Sequence, residues 1–223
     1  MINFQLYDHL QQFPLFQGLS VSELLQMAGN TKFGFEKLPA RSVVVREGDA
    51  CQRLLFLIGG QLSMETVSDD RSYSVTEQLS SPWLLQPEVL FGTATRYTCS
   101  VRTVTPCSFF TLSKDEVMRL LDDFLIIRLN LVNMYAALIQ RRSRQPWRRQ
   151  PLSLEERVVR FLVDHVIYPA GPKQVHIRMQ RLADELNETR RNISHTLNAM
   201  QQRGLIRLHR GSIEVPSLET LFM

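Results

Sequence analysis

Cysteine is scarce in this chain: Cys51, Cys99 and Cys107 are the only three, irregularly spaced and without a C-x-x-C pair. An odd, unclustered set supports neither a disulfide framework nor a cysteine-rich zinc site. Histidine is also sparse, with five residues and none between His9 and His165. No apolar run approaches the roughly 18–20 residues needed to cross a bilayer. The opening Met-Ile-Asn-Phe-Gln has neither a basic nor an apolar signal region, so a cytoplasmic chain without a membrane partner is expected. No internal repeat or low-complexity tract stands out.

The rest is globular material. The 223 residues are 44% hydrophobic and 22% charged, which suits two modest domains better than one core. The net charge of +4 is unevenly placed. Residues 1–139 hold 11 basic against 14 acidic side chains, whereas residues 140–223 hold 15 against 8. All the basic residues of that last third except Lys173 are arginines. The planar arginine fork grips phosphate in two places at once, so the bias fits a polyanion, although a solvated basic face would also produce it.

Patterning divides the chain into three parts: a β-rich domain with a helical lead-in over 1–113, a long helix over 114–145 and a C-terminal domain over 146–223. The first opens with a helical lead-in, in which Ser20-Val-Ser-Glu23 has capping-box spacing ahead of Leu24, Leu25 and Met27. Short β-rich runs follow: Ser42–Val45, Leu54–Ile58, Gln61–Val67, Tyr73–Thr76, Ser100–Thr105 and Ser108–Leu112. Gly-Asp, Gly-Gly and Ser-Asp-Asp breakers separate them, the spacing of a sandwich or jelly-roll barrel. A second capping box, Ser113–Glu116, starts the long helix. Phe124, Ile127, Leu131, Met134 and Leu138 recur on it at spacings of 3, 4, 3 and 4. That stripe is either ordinary core or a dimer seam. Pro146, within a basic stretch, marks a hinge.

The C-terminal part carries the sharpest signal. A helix capped by Ser153 and a short extended run at Val175–Ile177 lead into Met179–Met200, which fits a helix-turn-helix. Ala183 is small where two helices cross, Asn187 takes a turn position with positive φ, and Ile193 supplies the apolar contact that sets the crossing angle. Leu182, Leu186, Leu197 and Met200 fill the shared core, and Thr189 is the N-cap of the second helix. From Thr189 that helix opens Arg190-Arg191-Asn192, with Ser194 and His195 on nearby turns; all six are expected at the DNA, where the start of the helix reaches base edges in a major groove. A closing hairpin tipped by Arg210-Gly211 is the expected wing. A plain helical hairpin would leave the exposed Thr-Arg-Arg-Asn start without a purpose.

Taken in order, these pieces resemble the Crp/Fnr family of bacterial transcription regulators. Phe13–Ser20 resembles the family's entry to its sensor domain, Arg46-Glu-Gly-Asp49 with Leu54–Gln61 its early barrel strands, and the stripe helix its dimerisation helix. The resemblance implies an α+β chain with an N-terminal jelly-roll of the cyclic-nucleotide-binding type, a long helix and a C-terminal winged helix-turn-helix. It also implies a homodimer on a pseudo-palindromic site in double-stranded DNA, a working contact with RNA polymerase, and no enzymatic activity.

The resemblance does not extend to the effector. Members that bind cyclic AMP carry a Gly-Glu-Leu run and, about ten residues later, an Arg-Ser pair whose arginine neutralises the phosphate. Aligned on Val101-Arg102-Thr103, this chain has Gln86-Pro87-Glu88 and Tyr97-Thr98 there, with Arg96 one residue early. One step along a strand turns a side chain to the other face. Glu88, Arg96, Tyr97 and Thr98 are therefore candidates for some other effector, and cyclic AMP is not expected. The family's iron–sulfur and haem chemistries find no N-terminal cysteines and no barrel histidine here, so no cofactor is identified. Cys99 and Cys107 are readable as redox sensors or as buried small hydrophobes. Two other functions remain: an effector-independent DNA-binding regulator whose barrel takes a protein partner, and, more remotely, a cupin-like barrel enzyme. The second lacks ligands, because His9, His165, His176, His195 and His209 all fall outside the barrel strands.

Overall fold

The computed structural model describes Leu6 and residues 8–222. The chain forms two compact units. One comprises the residues up to Leu62 with Leu79–Thr98 and Arg102–Trp147; the other comprises Ser63–Gln78, Cys99–Val101 and Arg148 onward.

In the first unit, helix α1 (Val21–Asn30) starts on the anticipated capping box: Ser20 Oγ accepts from Glu23 N at 3.3 Å, and Glu23 returns the bond by accepting from Ser20 N at 2.8 Å. A four-stranded antiparallel sheet has the order β1 (Gly34–Leu38), β8 (Cys107–Ser113), β3 (Arg53–Gly59), β6 (Trp83–Leu85). Its register sets Phe56 opposite Phe110, whose rings stack 4.3 Å apart. Phe13 meets both edge-on, so the Phe13–Phe16 lead-in closes the core. Gly60, at φ 101°, is the one residue that fits between strands here, since a Cβ would lie 2.6 Å from both Cys107 Sγ and the Pro106 carbonyl.

The long helix is two helices. α2 (Lys114–Asp123), capped by Ser113, stops at Phe124, and α3 (Leu125–Ser143) restarts at once. No proline or glycine forces the break. Arg128 stabilises it by donating from Nε to the Leu121 carbonyl at 2.8 Å and from Nη2 to the Asp122 carbonyl, which satisfies carbonyls left open at the end of α2. α3 packs on the Pro14–Phe16 turn, where Asn130 Nδ2 donates to the carbonyls of Leu15 and Gln17. Past α3, Pro146 sits in a one-turn 3-10 helix, the interruption the sequence suggests.

In the second unit, helices α4 (Leu154–Asp164), α5 (Met179–Glu185) and α6 (Arg190–Gln202) share a core with strands β9 (Lys173–Ile177), β10 (Arg207–His209) and β11 (Ser212–Val215). Val158, Ala183, Ile193, Leu197, Met200 and Val215 are fully buried in it. Strand β5 (Tyr73–Ser80) joins this sheet by pairing antiparallel with β9, from Tyr73 opposite Ile177 to Glu77 opposite Lys173. Strand β4 (Gln61–Val67) lies beyond it, so the order through the unit is β10-β11-β9-β5-β4. Val75 of β5 is part of the same core. The first unit also contains β2 (Val43–Val45), and β7 (Ser100–Thr103) contributes to both units. Among the described residues no helix is long and apolar enough to cross a membrane.

Candidate nucleic-acid interface

The helix-turn-helix is assembled from local chemistry. Asn187 occupies the turn at φ 49°, while Ala183 and Ile193 are both fully buried between the helices. Thr189 Oγ1 accepts from Asn192 N at 3.2 Å and starts α6. Glu188 then ties the turn together: it accepts from Asn192 Nδ2 at 3.0 Å and pairs with Arg157 of α4 at 2.6 Å. Those bonds, with that from Asn192 the largest contribution, hold the Glu188 carboxyl below the usual carboxylate range. Thr189 and Asn192, expected at the DNA, are thus engaged in fixing the turn.

Arg190, Arg191, Ser194 and His195 line an open concavity of about 550 Å³ on the outer face of α6. Asn198 completes it, with Nδ2 3.5 Å from Ser194 Oγ. The sequence reading passed over Asn198, although its i,i+4 relation to Ser194 and i,i+3 relation to His195 place it on that face. Opposite, Ile193, Leu197 and Met200 anchor the helix in the core, so the polar face is presented by a rigid support.

The arginines of this unit fall into two groups. Arg148, Arg149, Arg157, Arg181, Arg203 and Arg207 pair with carboxylates, and Arg160 donates to the Arg149 carbonyl. Among the described residues Arg71, Arg178, Arg190, Arg191 and Arg210 have no carboxylate partner. The reading helix and the wing tip therefore keep free guanidinium groups, while much of the basic excess is neutralised internally. On the wing, Glu214 accepts from His209 at 3.0 Å and pairs with Arg207 at 2.8 Å, and the His209 bond leads in pulling its carboxyl below the usual value. Arg210 projects past them, exposed.

The candidate effector residues are differently placed. Gln86, buried and left-handed at φ 35°, turns its amide to Thr98: Nε2 donates to Oγ1 at 2.6 Å, and Oε1 accepts from Thr98 N at 3.2 Å. Arg96 is exposed, and its Nη1 donates to the Gly48 carbonyl at 2.7 Å. Tyr97 is buried, and burial, with a bond to Cys51, raises its phenol pKa. Glu88 is exposed in the Pro87–Val89 turn. Gln86 and Thr98 thus satisfy each other, and Arg96 is held to backbone. Tyr135 of α3, missed in the sequence, donates to the Pro87 carbonyl at 2.8 Å, and burial pushes its pKa up to about 12. All three cysteines are buried, and none is in a disulfide. Burial raises the Cys107 thiol pKa, the reverse of what a thiolate sensor needs.

The proposed seam residues also divide. Phe124, Ile127 and Leu131 are buried in the chain's own first unit, and Met134 and Leu138 are half-buried. The exposed apolar residues of α3 are Leu125, Leu129, Val132 and Ile139, at 63, 48, 57 and 64%. With Ala136 between the last two, they repeat at 4, 3, 4 and 3.

Comparison with known proteins agrees with this geometry. The family model of the cyclic nucleotide-binding domain matches residues 35–124, and that of the Crp-like helix-turn-helix domain matches residues 156–222. The chain is 21% identical over 185 residues to the cAMP-activated global transcriptional regulator CRP of Haemophilus influenzae, covering 80% of this chain and 82% of that one. The catabolite activator protein of Thermus thermophilus superposes with a TM-score of 0.54 at 21% identity, over 94% of this chain and 97% of that one. The sensor domain of the regulator DNR from Pseudomonas aeruginosa gives 0.54 at 19% identity, over 69% of this chain and 99% of the domain. With both domain types on one chain in the order the fold displays, the protein is a DNA-binding transcription regulator of the Crp/Fnr family.

Proposed function

We propose that the chain acts as a cytoplasmic homodimer that reads a pseudo-palindromic duplex with α6 of each subunit, without cyclic AMP as its effector. The observation that carries the reading is the row of basic and polar side chains, Arg190, Arg191, Ser194 and His195, with both arginines free of carboxylate partners, on a helix whose opposite face is locked in the core. Two such helices, about 34–36 Å apart, enter successive major grooves. The exposed Leu125–Ile139 stripe of α3 supplies the pairing surface. Contact with RNA polymerase belongs to the same proposal.

Arg190→Ala is expected to cost about 1–3 kcal/mol on a selected site and to relax base preference, because a bidentate contact to guanine is lost. Arg210→Ala, at the wing, should weaken selected and unrelated duplexes alike. Fluorescence anisotropy on the two duplexes separates these effects. An equal loss on both for Arg190→Ala would remove it from base readout.

For the effector, thermal unfolding is expected to be unchanged by millimolar cyclic AMP or other cyclic nucleotides. A ligand at 100 times its Kd would stabilise by about 2.7 kcal/mol, several degrees for a chain of this length. Such a shift would show that the Gln86–Thr98 lock opens and Arg96 leaves Gly48. The self-satisfied cassette also favours the second reading, in which the N-terminal domain takes a protein partner and DNA binding is constitutive.

A further inference from the structure

The second sheet has two hairpin turns at the same end. Arg210-Gly211 joins β10 to β11, and residues 68–72 join β4 to β5. Register brings them together: Ser212, at the start of β11, faces His176 near the end of β9, and His176 faces Ser74 near the start of β5. Two strand spacings, about 10 Å, therefore separate the wing from the second hairpin. Between them β9 leaves the sheet through Arg178 into α5. An open concavity of about 280 Å³ lies there, lined by Arg71, His176, Arg178 and Gly211, with Glu65 and Ser72 on its hairpin side.

The second hairpin is stiff. Ser68 Oγ accepts from the backbone N–H groups of Ser72 and Tyr73 at 3.1 and 3.2 Å, and Arg71 N donates to the Ser68 carbonyl at 2.8 Å. Asp70 is exposed but accepts from Ser72 N at 3.1 Å and pairs with Arg181 at 3.0 Å, so its charge has a partner in the same unit. Glu65 accepts from the Ser74 hydroxyl at 3.1 Å, and Asp69 remains exposed beside it. Arg71, exposed at φ 55°, belongs with Arg178 to the few arginines of this unit that lack a carboxylate partner. The others are Arg160, which donates to a backbone carbonyl, and those of the reading helix and the wing. An unpaired guanidinium carried by a stiff hairpin backbone on the wing's side of the sheet is suited to a phosphodiester.

We propose that the β4–β5 hairpin is a second wing: Arg71, with Arg178 and His176, binds a backbone phosphate of duplex DNA outside the bases read by α6. This rests on the DNA-binding reading above and extends it to a segment that lies within the cyclic nucleotide-binding match.

The test uses the full chain and two 40-base-pair duplexes, one selected by the protein from a random pool and one unrelated, between 50 and 200 mM salt. Arg71→Asn removes the charge and keeps a residue that tolerates positive φ. It is expected to weaken both duplexes by the same factor, roughly threefold or more, and to reduce the slope of log affinity against log salt by about 0.9. Arg71→Lys should retain the slope. An unchanged affinity and slope for Arg71→Asn, while Arg210→Ala weakens binding, overturns the second wing and leaves the DNA-binding reading standing. If Arg190→Ala and Arg210→Ala are also without effect, the DNA-binding reading itself fails. If Arg71→Asn spares DNA binding but abolishes a thermal stabilisation of the wild type by 10 mM inorganic phosphate, the site takes a free phosphate and its assignment to DNA is overturned.

Discussion

Glu77→Gln is expected to destabilise the second unit by about 3–5 kcal/mol, the largest effect of any single polar substitution in it. Glu77 and Lys173 lie opposite each other in the β5–β9 pairing, 3.4 Å apart, with each side chain 1% exposed. The carboxylate also accepts from Ile167 N at 2.8 Å and Tyr168 N at 3.0 Å, and the ammonium donates to the Ala170 carbonyl at 2.6 Å. Removing both charges would sacrifice little, because such a pair roughly balances its own desolvation. Removing one strands the other. Glutamine can still accept from one of the two N–H groups, but it leaves a buried ammonium held by the Ala170 carbonyl and the Tyr168 ring, with the more distant Glu219 as its remaining counter-charge. Lys173→Met should cost less, since the carboxylate keeps two N–H donors. The double variant Glu77→Gln/Lys173→Met should be more stable than Glu77→Gln alone. Urea unfolding followed by far-UV circular dichroism measures all three, and a loss under 1 kcal/mol for Glu77→Gln would show that water reaches the pair.

The same pair gives a pH dependence with a definite sign. Burial lowers the pKa of Lys173 below its ordinary value, with Glu77 opposing. The unfolded chain therefore holds that proton more tightly than the folded one. Stability then rises as pH climbs from the lowered value toward about 10.4, where the unfolded lysine titrates. Without Glu77 the lowering deepens, so Glu77→Gln should regain stability between pH 7 and 9.5. Measured against the double variant, which lacks both groups, the gain is isolated from other titrations. A flat difference would mean that Lys173 is hydrated in the folded state.

This pair also marks the limit of what the sequence conveys. Helix starts at Ser20, Ser113 and Ser153 were legible because capping is settled within four residues, and all three serines accept the N3 amide. The turn at Asn187 and the core positions of the helix-turn-helix were legible for the same reason. Strand β6 was not, because three residues cannot display a period, and β1 (Gly34–Leu38) has no β-branched residue to mark it. The pairing of β5 with β9 spans about a hundred residues, and neither strand's local pattern names its partner. Charge counting had the same blindness. It includes Arg181, Arg203 and Arg207 in the basic excess, whereas Asp70, Glu155 and Glu214 take them up. The cassette shows the converse: the departure from the family pattern was visible, but not that Gln86 and Thr98 would satisfy each other.

Helix α3 poses this problem in its sharpest form, because it carries two apolar stripes with the same spacing. One is Phe124, Ile127, Leu131, Met134 and Leu138; the other is Leu125, Leu129, Val132, Ala136 and Ile139. Periodicity alone cannot say which faces the chain's own core. The fold assigns the first stripe inward, where Ile127 is 1% and Leu131 5% exposed, and leaves the second bare. Val132→Asp is therefore expected to dissociate the dimer. A buried valine is worth about 2 kcal/mol, and symmetry removes two of them, so the dimer dissociation constant should rise by about a thousandfold before the cost of desolvating two carboxylates is added. Sedimentation equilibrium at micromolar concentration should then show a monomer with wild-type helix content, since Val132 supports nothing within its own chain. Loss of the dimer should also separate the two reading helices, leaving only half-site affinity for a palindromic duplex. Ile127→Ala supplies the contrast: it should cost about 2–5 kcal/mol of unfolding stability and leave the oligomeric state unchanged. If Ile127→Ala instead produced monomers while Val132→Asp remained dimeric, the seam would lie on the inward stripe, and α3 would have to roll on its domain to expose it.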